Sequence, residues 1–516
     1  MENRDYIVGL DIGSSKVVMA VGTRDEESKT ISVLGVEVQE IDGCVKDGDV
    51  VNYLDLGDAI IKAKSALETE LGRQINSAYV GISGRSVYCV RYEDYVEIDG
   101  KIGYVTDKEM RELHSRIEMV VSGGGDEIVE RIPLRYVIDD NQEVKNPVGA
   151  FGRKLSATYL FVLVGKQQID RVNRALYRAE ISSCGLCVNP TLLPRTLLSK
   201  EESEAGVAIV DIGGDLTDIS VVREGKLCYF SSLPIGASSI NNDLYDFLRT
   251  SKRDIESVKR KYGSATADGV PENTTVPIKT AGNAKKQILQ RNIAEIAEER
   301  LKDIAGFVAR ELKGAKLSTK VPCGVVLTGG SAYLSNMEQL FARELQMEVR
   351  LGSTLNGLDY ESQGLVSAYP QSAVVALLLY GAEHNACATS SKVQLPIDKS
   401  HRVEKPKVDE ESELGVDIFS APQQVVEEPK PQPQEPIEEM PSEKVDIPNE
   451  EPITTPTEER VEESAKFVVY KEEESAELEK SREKEKKERE KEKKPKWTDR
   501  FRNWLDDMFS NDNDYL

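Results

Sequence analysis

A chain of 516 residues with a formal charge of −23 has room for several domains, and its acidity argues against nucleic acid as a partner. Its hydrophobic share of 39% is low because of one stretch: residues 387–496 are rich in Glu, Lys, Pro and Ser, bury too little apolar surface to offset chain entropy, and read as a disordered charged linker. No apolar run nears the ~20 residues that span a bilayer, Met1-Glu2-Asn3-Arg4-Asp5 lacks a signal peptide's apolar stretch, and the seven cysteines show no disulfide spacing, so a reduced, cytoplasmic protein is expected.

The first elements read as a meander of strands, Ile7 to Leu10, Val17 to Val21 and Ile31 to Val38. Leu56 to Leu71 carries apolar residues at helical spacing (Leu56, Ala59, Ile60, Ala63, Leu67), and Ala78 to Ile82 is another short strand. Val87 to Ile98 alternates like an exposed strand. Asp107 to Val121 is an amphipathic helix capped by Thr106, and Arg135 to Ile138 and Ser156 to Val164 are strands. Residues 84–163 thus form a small α+β module between two pieces of a larger domain. Ile169 to Ala179 is helical, and Val188 to Leu193 leads into another helix. Cys184-Gly185-Leu186-Cys187 between them is a lone C-x-x-C with no second pair for zinc, and reads as ordinary thiols. A second strand pair, Val207 to Val210 and Ile219 to Val222, opens a second lobe. Ile240 to Ala265 and Ile288 to Leu312 read as helices around a polar excursion at 264–287. Val325 to Leu327 is a strand running into a helix from Tyr333 to Leu345, and Pro370 to Gly381 is the last folded piece.

The two strand pairs share a turn. Asp11-Ile12-Gly13-Ser14-Ser15-Lys16 and Asp211-Ile212-Gly213-Gly214-Asp215 each set a carboxylate at a strand end before a glycine. Glycine permits the close, left-handed backbone whose N–H groups converge on a phosphate. Asp11 and Asp211 are placed to orient water around Mg2+, which keeps several waters and few carboxylates in its shell. Lys16 can reach a phosphate as a point charge. Thr328-Gly329-Gly330-Ser331 is a strand-to-helix turn against which an adenine or ribose can lie, near the positive end of a helix dipole. A lone Asp-x-Gly hairpin is usually just a tight turn. Two matched copies followed by this third turn point to a clasp for a nucleotide's phosphates and their metal.

That order of turns resembles the actin, Hsp70 and sugar-kinase ATPase superfamily, and within it the FtsA family of actin-like bacterial division proteins. The likeness rests on Val210-Asp211-Ile212-Gly213-Gly214 closed by Asp218, and on Val326-Leu327-Thr328-Gly329-Gly330-Ser331-Ala332. Lys145-Asn146-Pro147-Val148-Gly149, Cys184-Gly185-Leu186 and Ser372-Ala373-Val374 to Tyr380-Gly381 extend it over about residues 5–386. It implies an α/β, actin-like two-lobed ATPase fold: lobe I (IA) at 1–83, an inserted α+β 1C module at 84–163, IA again at 164–203, lobe II (IIA) at 204–243, IIB at 244–323, IIA again at 324–360 and a final IA helix region at 361–386. It implies ATP and Mg2+ as the ligands of the clasp, and ribose contacts from a helix of the second lobe, where Glu295 and Glu298 hold the matching positions; an ordinary solvated acidic face has the same pattern. One departure stands out. The family usually has a third glycine where this chain has Asp215, whose carboxylate repels phosphate unless Mg2+ bridges the two or the side chain turns to solvent. The departure bears on hydrolysis more than on binding.

The resemblance implies a cell-division scaffold for which ATP is an assembly ligand, with at most slow hydrolysis and no catalytic residue of its own. Such a protein polymerises with itself, receives the C-terminal peptide of the tubulin-like FtsZ on 244–323, and meets later division proteins through 84–163. Its place is the cytoplasmic side of the inner membrane at the division site. The rivals are a small-molecule kinase of the sugar or acetate kinase type, for which no substrate-cleft carboxylate stands out, and a pilus-assembly actin-like protein.

The end of the chain supplies the membrane contact. Trp497, Phe501, Trp504, Leu505, Met508 and Phe509 fall within an arc of about 140° at helical spacing, and both tryptophans of the chain lie on that stripe. Residues 480–496 hold ten basic against five acidic side chains just before it. Residues 497–516 therefore read as an amphipathic targeting helix and tail end for an anionic membrane surface; docking on a protein partner or on the chain's own fold is the plainer alternative.

Overall fold

Two five-stranded sheets repeat one topology, and a smaller sheet is inserted into the first of them. The computed structural model describes residues 6–384 apart from 26, 124, 280–284, 354–356 and 368–370. The predicted linker at 387–496 and the aromatic stripe at 497–516 lie outside the described residues.

Lobe I opens with β1 (Tyr6–Ile12), β2 (Lys16–Arg24) and β3 (Ile31–Glu40). The ribbon of β4 (Val45–Lys46) and β5 (Asp49–Val50) leads to α1 (Tyr53–Leu71), capped by the Asn52 side chain, and then to β6 (Ser77–Ile82). The insert supplies β7 (Val87–Glu97), α2 (Asp107–Glu118), β8 (Asp126–Ile138), β9 (Gln142–Val144) and β10 (Lys154–Gly165), in sheet order β7-β10-β8-β9. The chain returns through α3 (Lys166–Arg178) to β11 (Ser182–Val188), which completes the first sheet in the order β11-β6-β1-β2-β3. Short helices α4 (Asn189–Leu192), α5 (Pro194–Leu197) and α6 (Lys200–Ala205) cross to lobe II.

Lobe II starts as lobe I did, with β12 (Val207–Ile212), β13 (Thr217–Arg223) and β14 (Lys226–Leu233). Then come α7 (Ala237–Leu248), α8 (Lys252–Tyr262), the hairpin β15 (Thr275–Lys279) and β16 (Lys285–Leu289), and the long α9 (Gln290–Gly314). The strands β17 (Val325–Thr328) and β18 (Val349–Leu351) flank α10 (Met337–Leu345), giving the order β14-β13-β12-β17-β18. Finally α11 (Tyr360–Ser367) and α12 (Ser372–Glu383) pack back on lobe I. In each lobe the first strand pairs antiparallel with the second and parallel with a later one. Asp11 sits opposite Val18 and Asp211 opposite Asp218, so the two Asp-x-Gly turns are equivalent points of equivalent sheets.

Burial explains which strands announce themselves. In β10, Leu160, Val162 and Val164 enter the core shared with the lobes, while Tyr159, Phe161 and Leu163 face a second core built on α2. A strand covered on both faces reads as one apolar run. The α2 helix is held at its start by a capping box: Thr106 accepts from the Lys108 N–H, and Glu109 accepts from the Thr106 N–H at 2.9 Å. Thr106→Ala is expected to cost about 1 kcal/mol, read as a lower melting temperature of the full chain; an unchanged melting curve would show the cap to be idle.

Elsewhere the structure departs from the expectations. The strand expected at 135–138 is the end of the much longer β8, whose charged residues Glu127, Glu130 and Arg131 hide it. The single helix expected over 240–265 is two, because Arg249 turns left-handed (φ 53°) at the end of α7 and Ser251 caps α8 on the Asp254 N–H. The polar excursion at 264–287 contains part of the β15–β16 hairpin. The C-x-x-C lies on β11, where three residues of extended chain put its Cα atoms about 10 Å apart, beyond disulfide reach. Cys187 is a free buried thiol. Cys184 is disulfide-bonded, against the expectation of thiols throughout.

Candidate functional site

Both turns close with the same bond: the Gly13 N–H donates to Lys16 O at 3.1 Å, and the Gly213 N–H to Leu216 O at 2.9 Å. They face each other in contact, since a Cβ built on Gly214 lies 3.2 Å from Ser15 Cβ and Oγ. The cleft they border measures about 780 Å3, open solvent included. Asp11, Gly13, Ser14, Ser15 and Lys16 line it from lobe I, and Asp211, Gly213, Gly214 and Asp218 from lobe II. Thr328, Gly329 and Gly330 form a third wall.

That third wall depends on glycine. Gly329 has φ 90°, and a Cβ there would fall 2.3 Å from Asp211 Oδ1 and 2.5 Å from Ile212 O. Gly330 meets nothing within 4 Å and leaves the surface flat. The Thr328 and Ser372 hydroxyls lie 2.8 Å apart, fixing the start of α12 against the turn.

The charge balance is lopsided. Burial pushes the Asp211 carboxyl up to about 7, helped by Asp218 and then Asp11. Burial also takes Asp218, only 6% exposed, to about 6, against a hydrogen bond donated by Ser232. Asp11 is raised by burial, opposed by the Asn189 side chain, which donates to its Oδ1 at 2.7 Å. Burial lowers Lys16, offset in part by Asp11. Asp11 and Asp211 thus share the Lys16 ammonium, and Asp218 adds a third carboxyl group beside Asp211. Among the described residues no group of three His, Cys, Asp or Glu is placed to hold a metal ion directly. Two residues of the lining, Asn189 and Gln371, each have a buried side-chain oxygen without a hydrogen-bond partner among the described residues.

Four expected site residues lie elsewhere. Asp215 leaves the cleft and its Oδ2 accepts from the Asp47 N–H of lobe I at 3.3 Å. It therefore turns toward the β4–β5 turn rather than to open solvent. The Asp47 carboxyl is raised by burial and then by Asp215 beside it. Ser331 is buried behind its turn. On α9, Glu298 accepts from the Ala267 N–H at 2.8 Å and pairs with Lys302 and Arg343, each at 3.1 Å. Glu295 is exposed and pairs with Arg291 at 3.1 Å. The structure does not bring either glutamate to the cleft lining.

Two contributions escape the sequence reading. Lys16 feels the charges of Arg260 and Glu256 on α8. Glu256 pairs with Lys259 at 2.7 Å and Arg260 at 2.9 Å; burial raises it, and those cations, Lys259 first, bring it down to about 2. The Ser251-x-x-Asp254 start of α8 was the available signal, hidden by an apolar period that runs on from α7. Asn189 is the other, signalled only by the proline that follows it at the end of β11.

Residues 208–370 match the family described as cell division protein FtsA, and residues 84–163 match the SHS2 domain inserted in FtsA. Over 416 residues the chain is 28% identical to the cell division protein FtsA of Pseudomonas aeruginosa, covering 79% of this chain and 96% of that protein. Over 354 residues it is 29% identical to the FtsA of Bacillus subtilis, covering 68% and 80%. Among solved structures it is similar to the PilM–PilN type IV pilus biogenesis complex, with a TM-score of 0.52 at 16% identity over 73% of this chain and 98% of that one. That likeness is one of fold, which is actin-like with an SHS2 insert.

Proposed function

Because this chain belongs to the FtsA family of cell-division proteins, we propose that it binds ATP with Mg2+ between its lobes, polymerises as an actin-like filament and tethers the FtsZ ring to the cytoplasmic face of the inner membrane. The observation that carries the nucleotide reading is the facing pair of Asp-x-Gly turns, with Lys16 and the carboxyl groups of Asp11, Asp211 and Asp218 lining the cleft between them. Mg2+, when bound, supplies the positive charge that lets phosphates and carboxylates share the cleft. The backbone of Gly13 to Lys16 and of Gly213 to Gly214 cradles the phosphates, and Lys16 meets one of them directly. Asp11 and Asp211 orient water, with Asn189 steadying Asp11 through the hydrogen bond it donates. The flat face at Gly330 takes the ribose or adenine. Second-lobe contacts to the nucleoside come from its helices: Glu295 and Glu298 of α9 hold the expected positions, and Glu256 and Arg260 of α8 bring their charges to bear on Lys16.

The outer contacts follow the same division of lobes and insert. Residues 244–323 receive the FtsZ C-terminal peptide, supported by half-exposed Tyr245, Phe247 and Leu289. The insert meets neighbouring subunits or later division proteins, supported by Phe151, 77% exposed beside Tyr104. The membrane is reached by Trp497 to Phe509. Among the described residues no helix is long and apolar enough to cross a membrane.

The test is cosedimentation of the full chain with FtsZ and with anionic liposomes, with and without Mg-ATP, alongside thermal denaturation. Mg-ATP at a hundred times its Kd should add about 2.7 kcal/mol of stability. Trp504→Glu should leave FtsZ binding intact and release the protein from liposomes. No thermal shift sinks the nucleotide reading, and unchanged liposome pelleting of Trp504→Glu sinks the membrane reading.

A further inference from the structure

The insert is rooted in lobe I by the chain itself, which leaves after β6 and returns at α3. It is fastened to lobe II by contact. Val87, Leu160, Val162 and Val164 of the insert belong to one buried core with Leu227 and Phe230 of lobe II. Two hydrogen bonds tie it to β14: Cys89 Sγ donates to Phe230 O at 3.3 Å, and Lys226 Nζ donates to Leu134 O at 3.1 Å. The strand they grip is anchored in turn, since the Tyr229 hydroxyl donates to the buried Glu311 of α9. On the lobe I side, Glu130 of β8 is half-buried beside Thr191 of α4, in the field of Arg195. That four-residue helix also reaches the cleft: Asn189 donates to Asp11, and Pro190 O accepts from Ser220 Oγ of β13 at 3.0 Å.

We propose that the insert is a brace across the two lobes, coupling whatever grips the insert to how long nucleotide stays in the cleft. The inference rests on the reading of the cleft as a nucleotide site. Opening a two-lobed cleft moves one lobe against the other about a hinge. Here such a motion either breaks the bonds to β14 or carries β7 and β8 with it. A ligand clamped between the turns favours the braced arrangement, and by reciprocity a partner that stabilises the braced insert slows release of the ligand. A neighbouring subunit or division protein bearing on residues 84–163 thereby acts on the nucleotide without touching it.

Two measurements on the full chain test this. The first is release of a fluorescent ATP analogue, chased with excess Mg-ATP, from wild type, Lys226→Met and the double variant Cys89→Val, Lys226→Met. Release should be roughly fivefold faster in the double variant, with an intermediate rate in the single one. The second needs no variant: saturating Mg-ATP should slow hydrogen exchange in Asp126–Ile138 and Lys226–Leu233 together with the turns at 11–16 and 211–215. Equal release rates, with protection confined to the turns, overturn the brace and leave the nucleotide site standing. Wild type that retains no analogue overturns both.

Discussion

A chain carrying Gly329→Ala is expected to lose about 3 kcal/mol of folded stability and most of its affinity for Mg-ATP in one step. The first part of the loss is conformational. Gly329 sits at φ 90°, where an L side chain brings its Cβ against its own backbone, at a cost of about 1–2 kcal/mol. The second part is steric. The new methyl group would start 2.3 Å from Asp211 Oδ1 and 2.5 Å from Ile212 O. The carboxylate can swing, but the carbonyl belongs to β12 and moves only with its strand, as in an overpacked core that costs about 1–3 kcal/mol. The third part is functional, because the carboxylate that swings is the one proposed to orient water around Mg2+. Gly330→Ala is the contrast. Nothing lies within 4 Å of its Cβ position, so stability should barely change while nucleoside affinity falls. Chemical denaturation and nucleotide titration of both variants check this. A Gly329→Ala chain that melts and binds like wild type would refute the role assigned to the third wall.

What could be read in the chain beforehand was local in origin. The Asp-x-Gly turns, the Thr106 cap, the helical spacing of α1 and the doubly covered β10 all carry their cause within a few residues. The repeat of the turns 200 positions apart was legible, and the two sheets bear it out by sharing a strand order. The missed elements depend on distant partners. Nothing in Ser182-Ser183-Cys184-Gly185 favours a strand; β11 exists because β6 offers an edge to pair with. The break between α7 and α8 depends on one left-handed arginine, and no apolar period marks it. Within the site the limit was the same. For Asp215 the turn left open a side chain bridged by a cation or turned to solvent, and the Asp47 N–H across the lobes gives it a partner instead. Glu298 looked available on a helix surface, yet Arg343 and Lys302 occupy it. Which way a side chain points was the information missing from a linear reading, and it decides which acidic groups face the cleft.

For those that do, Asp211→Asn is expected to make the empty protein more stable at pH 8 and to cut Mg-dependent ATP binding by roughly tenfold or more. In the unfolded chain Asp211 titrates near its ordinary 3.8, and in the fold at about 7. Between those values the folded chain holds a proton that the unfolded chain has released. Stability from this group is therefore full below pH 4 and is lost as pH rises through 7. A gap that wide between the two titrations makes the charged cleft at pH 8 cost on the order of 4 kcal/mol. Asparagine fits the same space without charge and also removes a repulsive neighbour of Asp218 and Asp11. The variant's advantage should be large at pH 8 and nearly absent at pH 4, measured by denaturation without nucleotide at each pH. Adding Mg-ATP should reverse the order, because the wild-type carboxylate then has a cation to face and the amide does not. An advantage of equal size at both pH values would mean that packing rather than charge sets it. It would then follow that the three carboxyl groups of the cleft are not held in tension for a metal ion to relieve.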